Sequence, residues 1–310
     1  MNIQNLKQQA AARLDDHAHR LTLIHSAIAG GVSLLIAAIG YILSLQANTT
    51  GGLAGISSRS MLLTAQTVLS YCFVLLLPFW NLGYIYTSLG FARQKSTTIG
   101  SLAEGFRRFQ PALRMMILRT ALILGICYLC LMASSILYML SPWSEQLFLS
   151  MEQIPMDAAT IDMATVESLM PMLIPVYVLF GVLLCVFLVP YLYRLRLTDF
   201  LIVDTATGAR DAFRRSGKTM KGNRFAFFKL DISFWWYFLL LGVANTVAWG
   251  DSLLALLDIQ TGAVGYFACC ILSAALQVLI TWRFAPLVYT TQALAYQQLT
   301  TVNEELIIDN

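Results

Sequence analysis

The sequence predicts an all-α membrane protein, a polytopic bundle of six transmembrane helices with amphipathic helices at the cytoplasmic membrane surface. Apolar residues make up 58% of the 310-residue chain and charged residues only 12%, whereas about a quarter of the residues in soluble domains are charged. Six apolar runs are each long enough to cross the hydrocarbon layer, which takes about 20 helical residues. Eighteen of the twenty Lys and Arg residues lie in the amino terminus or in and next to alternate connections between these runs.

The six runs are predicted to be helices, because they are apolar on all sides and lack the two-residue alternation of a membrane barrel. They cover residues 21–46, 61–91, 117–140, 171–193, 232–250 and 263–290. The first run is longer than the apolar part of a secretion signal and no A-x-A site follows it, so we expect it to be retained. The predicted organisation is an amino-terminal helix over 1–20, a membrane domain over 21–301 and a tail over 302–310.

Lys and Arg also predict the orientation, because short cytoplasmic loops accumulate them. They are concentrated in the amino terminus and around the connections 92–116 and 194–229. The connection 141–170 carries five acidic residues and no Lys or Arg. We therefore expect a multi-pass protein of the cell membrane with both termini in the cytoplasm.

A short internal repeat accompanies the two basic connections. "AEGFRRF", which begins at residue 103, aligns with "RDAFRRS", which begins at residue 210. Each copy lies between a proline-bearing span and a returning span, so the repeat extends over about 61–140 and 171–250. Repeats of this kind are common in transporters. The prolines at which we expect helix kinks are Pro78, Pro190 and Pro286.

Both copies are predicted to form amphipathic helices in the headgroup layer. In the first copy, Ser101 and Glu104 match a capping box, and the apolar face comprises Leu102, Phe106, Phe109 and Leu113. In the second copy, the apolar face comprises Ala209, Phe213, Gly217 and Met220, and Gly222 ends the helix. The expected contacts to headgroups or to a partner are Arg107, Arg108, Arg210, Arg214, Arg215, Lys218, Lys221 and Arg224.

The predicted partner of this positive charge is the anionic headgroups of the inner leaflet, because the basic segments lie a few residues from the spans. A nucleic acid partner is not expected, since no nucleic-acid-binding module is recognisable. Two alternatives stay open at this point. The charges could contact another protein, or they could act only as a topology signal.

Polar groups inside the spans are the other candidates, because a charge at the membrane centre costs at least about 2.5 kcal/mol. Arg283 lies 20 residues into the sixth run and is expected to snorkel to the inner headgroups, with pairing to Asp231 as the alternative. Asn81 follows Pro78, where a kink would free backbone groups to line a cavity. His17, His19 and His25 are expected at the surface without metal-ligand spacing, so we expect no metal and no cofactor.

Three stretches resemble a known family. "SGKTMKGNRFAFFKLDISFWWYFLL", from residue 216, resembles a bacterial family of six-helix integral membrane proteins catalogued as a domain of unknown function. "LKQQAAARL" near the start and "PLVYTTQALAYQQL" near the end are similar to the family's first and last helices. Trp235 stands where the family often has Gly, and the usual Pro-Tyr after the fifth span is absent. A more distant similarity is to the membrane domain attached to glycerophosphodiester phosphodiesterases, which is not their catalytic domain.

The resemblance implies the architecture and no activity, and no motif resembles a nucleophile with its base or a phosphate-binding glycine loop. We therefore expect no enzyme. The concentration of charge at the inner interface favours a non-enzymatic scaffold, regulator or accessory factor in envelope or lipid processes. A small-solute transporter or permease is the alternative, and it would need a polar cavity at mid-membrane that a scaffold does not need.

Overall fold

The structure is a computed structural model that describes residues 2–49, 53–152, 163–205, 207–250, 254 and 262–308. Every regular element over these residues is a helix, so the predicted all-α class is confirmed. Five of the described helices are long and apolar enough to cross a membrane, and a bent pair of helices would make the sixth span. The chain is therefore a multi-pass, α-helical membrane protein.

The helices are numbered here in chain order. The first seven are α1 (Ile3–Arg13), α2 (Asp16–Thr49), α3 (Leu53–Ala92), α4 (Ile99–Leu102), α5 (Glu104–Arg107), α6 (Phe109–Met139) and α7 (Trp143–Glu152). They are followed by α8 (Met163–Arg194), α9 (Thr198–Thr205), α10 (Ala209–Thr219), α11 (Arg224–Ile232), α12 (Trp235–Ala248) and α13 (Gly262–Ile308).

The long helices extend beyond the predicted spans. Helix α13, for example, continues to Ile308, whereas the apolar run ends near residue 290. The apolar runs predict only the part of each helix that lipid covers, and good helix formers such as Gln, Leu and Ala carry the helix further. The tail predicted over 302–310 is helical as far as it is described.

The fifth span differs from its prediction as one straight helix over 232–250. Helices α11 and α12 are separated by a short break and bent by 57°. Helix α12 has 14 residues, which cover about 21 Å and are too few to cross a hydrocarbon layer of about 30 Å. On α1, Lys7 stabilises the break, because its Nζ donates to the carbonyl of Ser233 at 2.9 Å and lies 4.1 Å from the ring centroid of Phe234.

The chain divides into two compact units, one of residues 1–112 with 197–310 and the other of residues 113–196. The smaller unit contains most of α6 together with α7 and α8. In it the Tyr138 hydroxyl lies within hydrogen-bonding distance of the carbonyls of Trp143 and Met172, at 3.3 and 2.9 Å. The boundaries of the predicted repeat stay a prediction.

The core of the larger unit lies at one end of its long helices, which we call the basic end because the connections 93–108 and 195–234 meet there. The following side chains at this end are fully buried: Leu102, Ile202, Val203, Met220, Phe227 and Leu230. Farther along the same helices, apolar side chains such as Met61, Val74 and Val264 are exposed. In a membrane, lipid tails cover such surfaces.

Two glycines allow the α4–α5 segment to lie directly against α3. A Cβ on Gly83 would lie 1.8 Å from the Leu102 carbonyl oxygen, and a Cβ on Gly105 would lie 1.9 Å from the Phe79 carbonyl oxygen. One turn farther along α3, the Thr87 hydroxyl is 2.8 Å from the Ser101 hydroxyl. The basic end therefore depends on backbone surfaces that are free of side chains.

We expect Gly83→Ala to lower the melting temperature in detergent. Alanine improves helix propensity by about 1 kcal/mol, but overpacking costs about 1–3 kcal/mol, and here the opposing atom belongs to backbone that cannot rotate away. Gly31→Ala is the matched control, because nothing lies within 4 Å of a Cβ there. Equal melting temperatures for the two variants would contradict the close contact.

Candidate functional site

Helix α10 presents the largest group of the predicted headgroup contacts. Its buried side chains are Ala209, Ala212 and Ser216, and Met220 just after the helix is fully buried. Four cations are exposed on its other side and a fifth just after its end: Arg210, Arg214, Arg215, Lys218 and Lys221. We call this set the α10 basic face. The helix ends as predicted, because Gly222 has a φ of +87° that favours glycine.

The predicted apolar face of α10 is only partly correct. Ala209 and Met220 are buried, but Ala212 and Ser216 take the other buried positions, and Phe213 and Gly217 are half-buried. This side packs against α9, where small residues allow a close approach. Protein therefore covers the side that was expected to face lipid, and the α10 basic face is held in place by the core.

The first copy does not form the predicted amphipathic helix. It is divided into the single turns α4 and α5, and Phe106 and Phe109 are exposed. Ser101 caps no helix, because its hydroxyl donates to the Thr98 carbonyl at 2.6 Å. Glu104 contacts Arg107 at 3.3 Å and Arg108 at 3.4 Å. Close packing on α3 and these ion pairs outweigh the capping-box pattern.

Three of the predicted contacts differ in exposure. The Arg107 side chain is 75% exposed. Arg108 points inward, since its Nη1 donates to the Ile202 carbonyl at 2.8 Å and its guanidinium lies 6.0 Å from the Tyr86 ring centroid. Arg224 is half-buried, and its Nε has no hydrogen-bond partner among the described residues. Arg108 and Arg224 are thus placed in the interior of the basic end.

Asp204 is a central residue that the sequence did not reveal. Its two carboxylate oxygens accept hydrogen bonds from Arg93 at 2.6 and 2.7 Å, and one also accepts from the Tyr296 hydroxyl at 3.0 Å. The hydrogen bonds to Asp204 raise the pKa of the Arg93 guanidinium, so this cation stays charged. The contacts join α3, α9 and α13. Arg93 and Asp204 are 111 residues apart in sequence. The only sequence signal for this ion pair is the position of Asp204 in an apolar segment.

The amino-terminal helix also contributes to the basic end. Arg13 donates to the Ala92 carbonyl at the end of α3, where a cation is favoured by the helix dipole. At the start of α2, which follows directly, His17 Nε2 donates to the Thr97 carbonyl at 2.8 Å. Burial lowers the pKa of Lys7, which contacts the break between α11 and α12. Helix α1 therefore holds other helix ends in place.

Arg283 and Asp231 have different neighbours. Asp231 Oδ1 accepts a hydrogen bond from Gln292 Nε2 at 2.9 Å, and the Arg283 guanidinium lies 6.0 Å from the Phe284 ring centroid. Gln292 is nine residues after Arg283, about 13 Å farther along α13. Asp231 belongs to α11, before the bend, in the pair of helices that would make the fifth span. Snorkelling by Arg283 stays a prediction.

His25 was expected at the surface and is instead buried, with 6% of its surface exposed. Its ring stacks on Trp80 and Tyr84, with centroids 5.3 and 4.6 Å apart. Asn81, the predicted intramembrane polar residue, is exposed and lies close to His25. His25 Nδ1 has no hydrogen-bond partner among the described residues. Aromatic stacking between α2 and α3 thus explains the burial of a polar ring.

The three prolines at the predicted kinks lie inside continuous helices, Pro78 in α3, Pro190 in α8 and Pro286 in α13. Because proline has no N–H, Pro286 leaves the Trp282 carbonyl without its helical donor. His19 Nδ1 lies 3.3 Å from that oxygen and takes the donor's place. Bending at the prolines stays a prediction.

We expect Asp204→Asn and Arg93→Gln each to destabilise the protein by roughly 1.5–3 kcal/mol, as removal of a charged hydrogen-bond partner does. The double variant should lose less than the sum, because neither charge is then left unpaired. The measurement is unfolding in detergent. Arg107→Gln is the control and should cost little, since that side chain is mostly exposed. Additive losses would show that Arg93 and Asp204 act independently.

Comparisons with known proteins place the chain in a family. A family model described as "Protein of unknown function (DUF975)" matches residues 1–303. No curated protein and no solved structure matches the chain. The distant similarity to the membrane domain attached to glycerophosphodiester phosphodiesterases stays a prediction. Because the family model covers nearly the whole chain, and the helices have the expected membrane character, the protein belongs to the family of unknown function DUF975.

Proposed function

We propose that this protein is a non-enzymatic scaffold or accessory factor of the cell membrane, with its basic end in the cytoplasm against anionic headgroups of the inner leaflet. The α10 basic face is the observation that carries the proposal. Its cations project from one side of a helix whose other side packs on α9. Such a surface is preorganised, so little side-chain and backbone order has to be created when headgroups bind.

The charge of this face is sufficient for the proposed role. Each Lys or Arg near an anionic leaflet contributes about 1 kcal/mol before screening. The cations of the α10 basic face form no salt bridge among the pairs described for the structure, and only Asp211 among the residues of α10 is acidic. Their positive charge is therefore available to an anionic surface.

Helix α11 supports a position at the membrane surface. Phe227 and Leu230 are buried on one side, while Phe225 and Ile232 on the other side are 64% and 49% exposed. Lys229 Nζ lies 4.6 Å from the Phe225 ring centroid. Exposed aromatic residues beside a Lys are typical of the boundary between hydrocarbon and headgroups. The bend before α12 supports an α11 that lies along this boundary.

The transporter alternative would require a polar cavity at mid-membrane. A cavity of about 580 Å³ beside α3 is lined mainly by apolar residues, including Met61, Val68 and Leu69. A polar cavity of about 300 Å³ lies at the basic end. Of these two cavities, the polar one lies at the basic end and the one beside α3 is mainly apolar, which favours the scaffold proposal over transport. The proposal includes no catalytic role.

We expect anionic lipid to stabilise the protein through the α10 basic face. In maltoside micelles, phosphatidylglycerol should raise the melting temperature more than phosphatidylcholine does. A variant with Arg210, Arg214, Lys218 and Lys221 all changed to Gln should lose most of this difference, because the attraction depends on charge. The matched control exchanges Arg and Lys at the same four positions and keeps the charge. A neutral variant that responds like the control would reject the proposal.

The orientation predicts the accessibility of single cysteines in a variant whose six native cysteines are replaced. Glu145→Cys should react with an impermeant thiol reagent added to intact cells, because its connection lacks Lys and Arg and should face outward. Arg215→Cys should react only after the cells are opened. The opposite pattern of labelling would show that the basic end faces outward.

A further inference from the structure

A polar cavity of about 300 Å³ lies where α3 ends and the chain turns into α4. We call it the Arg93 cleft. Its polar lining includes Arg93, Lys95, Ser96, Thr98, Glu104 and Arg107. This volume is at the lower end of the range for small-molecule sites, so it suits a group the size of a lipid headgroup or smaller.

The wall formed by the end of α3 has a defined backbone geometry. Lys95 N donates to the Gly90 carbonyl at 3.0 Å and Gln94 N to the Phe91 carbonyl at 3.1 Å, which is the Schellman pattern that ends a helix. The residue at its left-handed position is usually Gly, but here it is Gln94 with a φ of +53°. Side chains disfavour this conformation, and such strain is often retained at ligand clamps. It places Arg93 and Lys95 on either side of a sharp turn.

The opposite wall is held close to α3. A Cβ on Gly90 would lie 2.3 Å from Thr97 Cγ2, so a larger residue at this position would force the Thr97 side chain to move. His17 fixes the same segment through the Thr97 carbonyl. Thr98 precedes α4 and forms no capping hydrogen bond through its side chain. The cleft is therefore formed by packed segments from α3, α4 and the connection between them.

The electrostatics of the Arg93 cleft favour an anion. Asp204 accepts hydrogen bonds from two of the five N–H donors of the Arg93 guanidinium. Because these two bonds hold the planar guanidinium in place, its remaining donors have a fixed direction. Lys95 is exposed, and Arg107 is mostly exposed with only a long contact to Glu104. The lining thus contains three cations and one carboxylate. Cations at several points around a cleft match an anion with several acceptor oxygens.

We propose that the Arg93 cleft binds a phosphoryl group, either of a phospholipid headgroup or of a free phosphate ester or inorganic phosphate. Arg93 orients the group through its fixed donors, Lys95 and Arg107 neutralise its charge, and the hydroxyls of Ser96 and Thr98 bind the remaining oxygens. A tetrahedral phosphoryl group suits this arrangement, since Arg recognises phosphate oxygens in pairs and hydroxyls serve as further donors. The site is separate from the α10 basic face and goes beyond the proposed function.

The first arm of the test uses the full chain in maltoside micelles with inorganic phosphate and glycerol phosphate as probes. Binding is measured by phosphorus NMR line broadening and by calorimetry. If the site takes a free phosphate, wild type should bind at least one probe, and Lys95→Gln with Arg107→Gln should weaken that binding at least tenfold. The charge-conserving Lys95→Arg with Arg107→Lys should retain binding. Both altered side chains are exposed, and the melting temperature without probe confirms that each variant folds.

The second arm measures retention of phosphatidylglycerol and phosphatidylcholine by native mass spectrometry of the same proteins from nanodiscs. Loss of lipid in the Lys95/Arg107 variant, without binding of either soluble probe to wild type, identifies a headgroup site. Binding of a soluble probe to wild type but not to the Lys95/Arg107 variant, with equal retention of lipid by both proteins, identifies a free phosphate site. Equal binding by wild type and the neutral variant in both arms, or no binding in either arm, overturns the proposal.

A control variant separates this site from the proposed function. Lys218→Gln with Lys221→Gln neutralises part of the α10 basic face and should leave binding of the soluble probes unchanged. Its response to anionic lipid tests the proposed function alone. Loss of soluble-probe binding in this control would show that general positive charge, and not the Arg93 cleft, binds the phosphoryl group, and would overturn the proposal.

Discussion

The basic end depends on the neutralisation of one carboxylate, that of Asp204. Five of the eight residues of α9 are buried there and the Asp204 side chain is only 16% exposed, and a largely buried carboxylate is costly unless it is paired and hydrogen-bonded. Arg93 and Tyr296 supply that pairing from the end of α3 and from α13. Arg108 adds a donor to the last turn of α9. The position of α9 is thus fixed by charge as well as by packing, and α10 is in turn positioned on α9.

Buried polar groups that need a partner also explain why similar cations have different roles. Each helix leaves carbonyls without intrahelical donors at its carboxyl end, and cations are the favoured partners there. Lys7, Arg13 and Arg108 are used in this way and point inward. The cations of α10 point outward because small side chains occupy its inner face. Charge counts along the sequence predict an orientation in the membrane but not this division between inward and outward cations.

The sequence predicted features that depend on a local pattern. The spans follow from apolar runs, the end of α10 follows from Gly222, and the six-helix resemblance agrees with the family match. Features that depend on distant residues were missed. The capping box near Ser101 failed because Gly83 and Gly105 allow contact between backbones, and His25 is buried because aromatic rings from another helix stack on it. In the candidate site, the basic residues were predictable, whereas the positions of Arg108 and Asp204 required the fold.

The uneven distribution of the core has a consequence for function. The larger unit is tightly packed at the basic end, while apolar side chains farther along α3 and α13 are exposed. These outer parts gain little from packing within the unit, so lipid must supply their apolar environment. At the basic end, by contrast, the Schellman turn at Gln94 and the buried face of α10 keep cationic groups in fixed positions. The proposed role at the headgroups uses these two properties together, because it needs cationic groups in fixed positions on helices that lie in lipid, whereas alternating access would require packed elements at that end to separate.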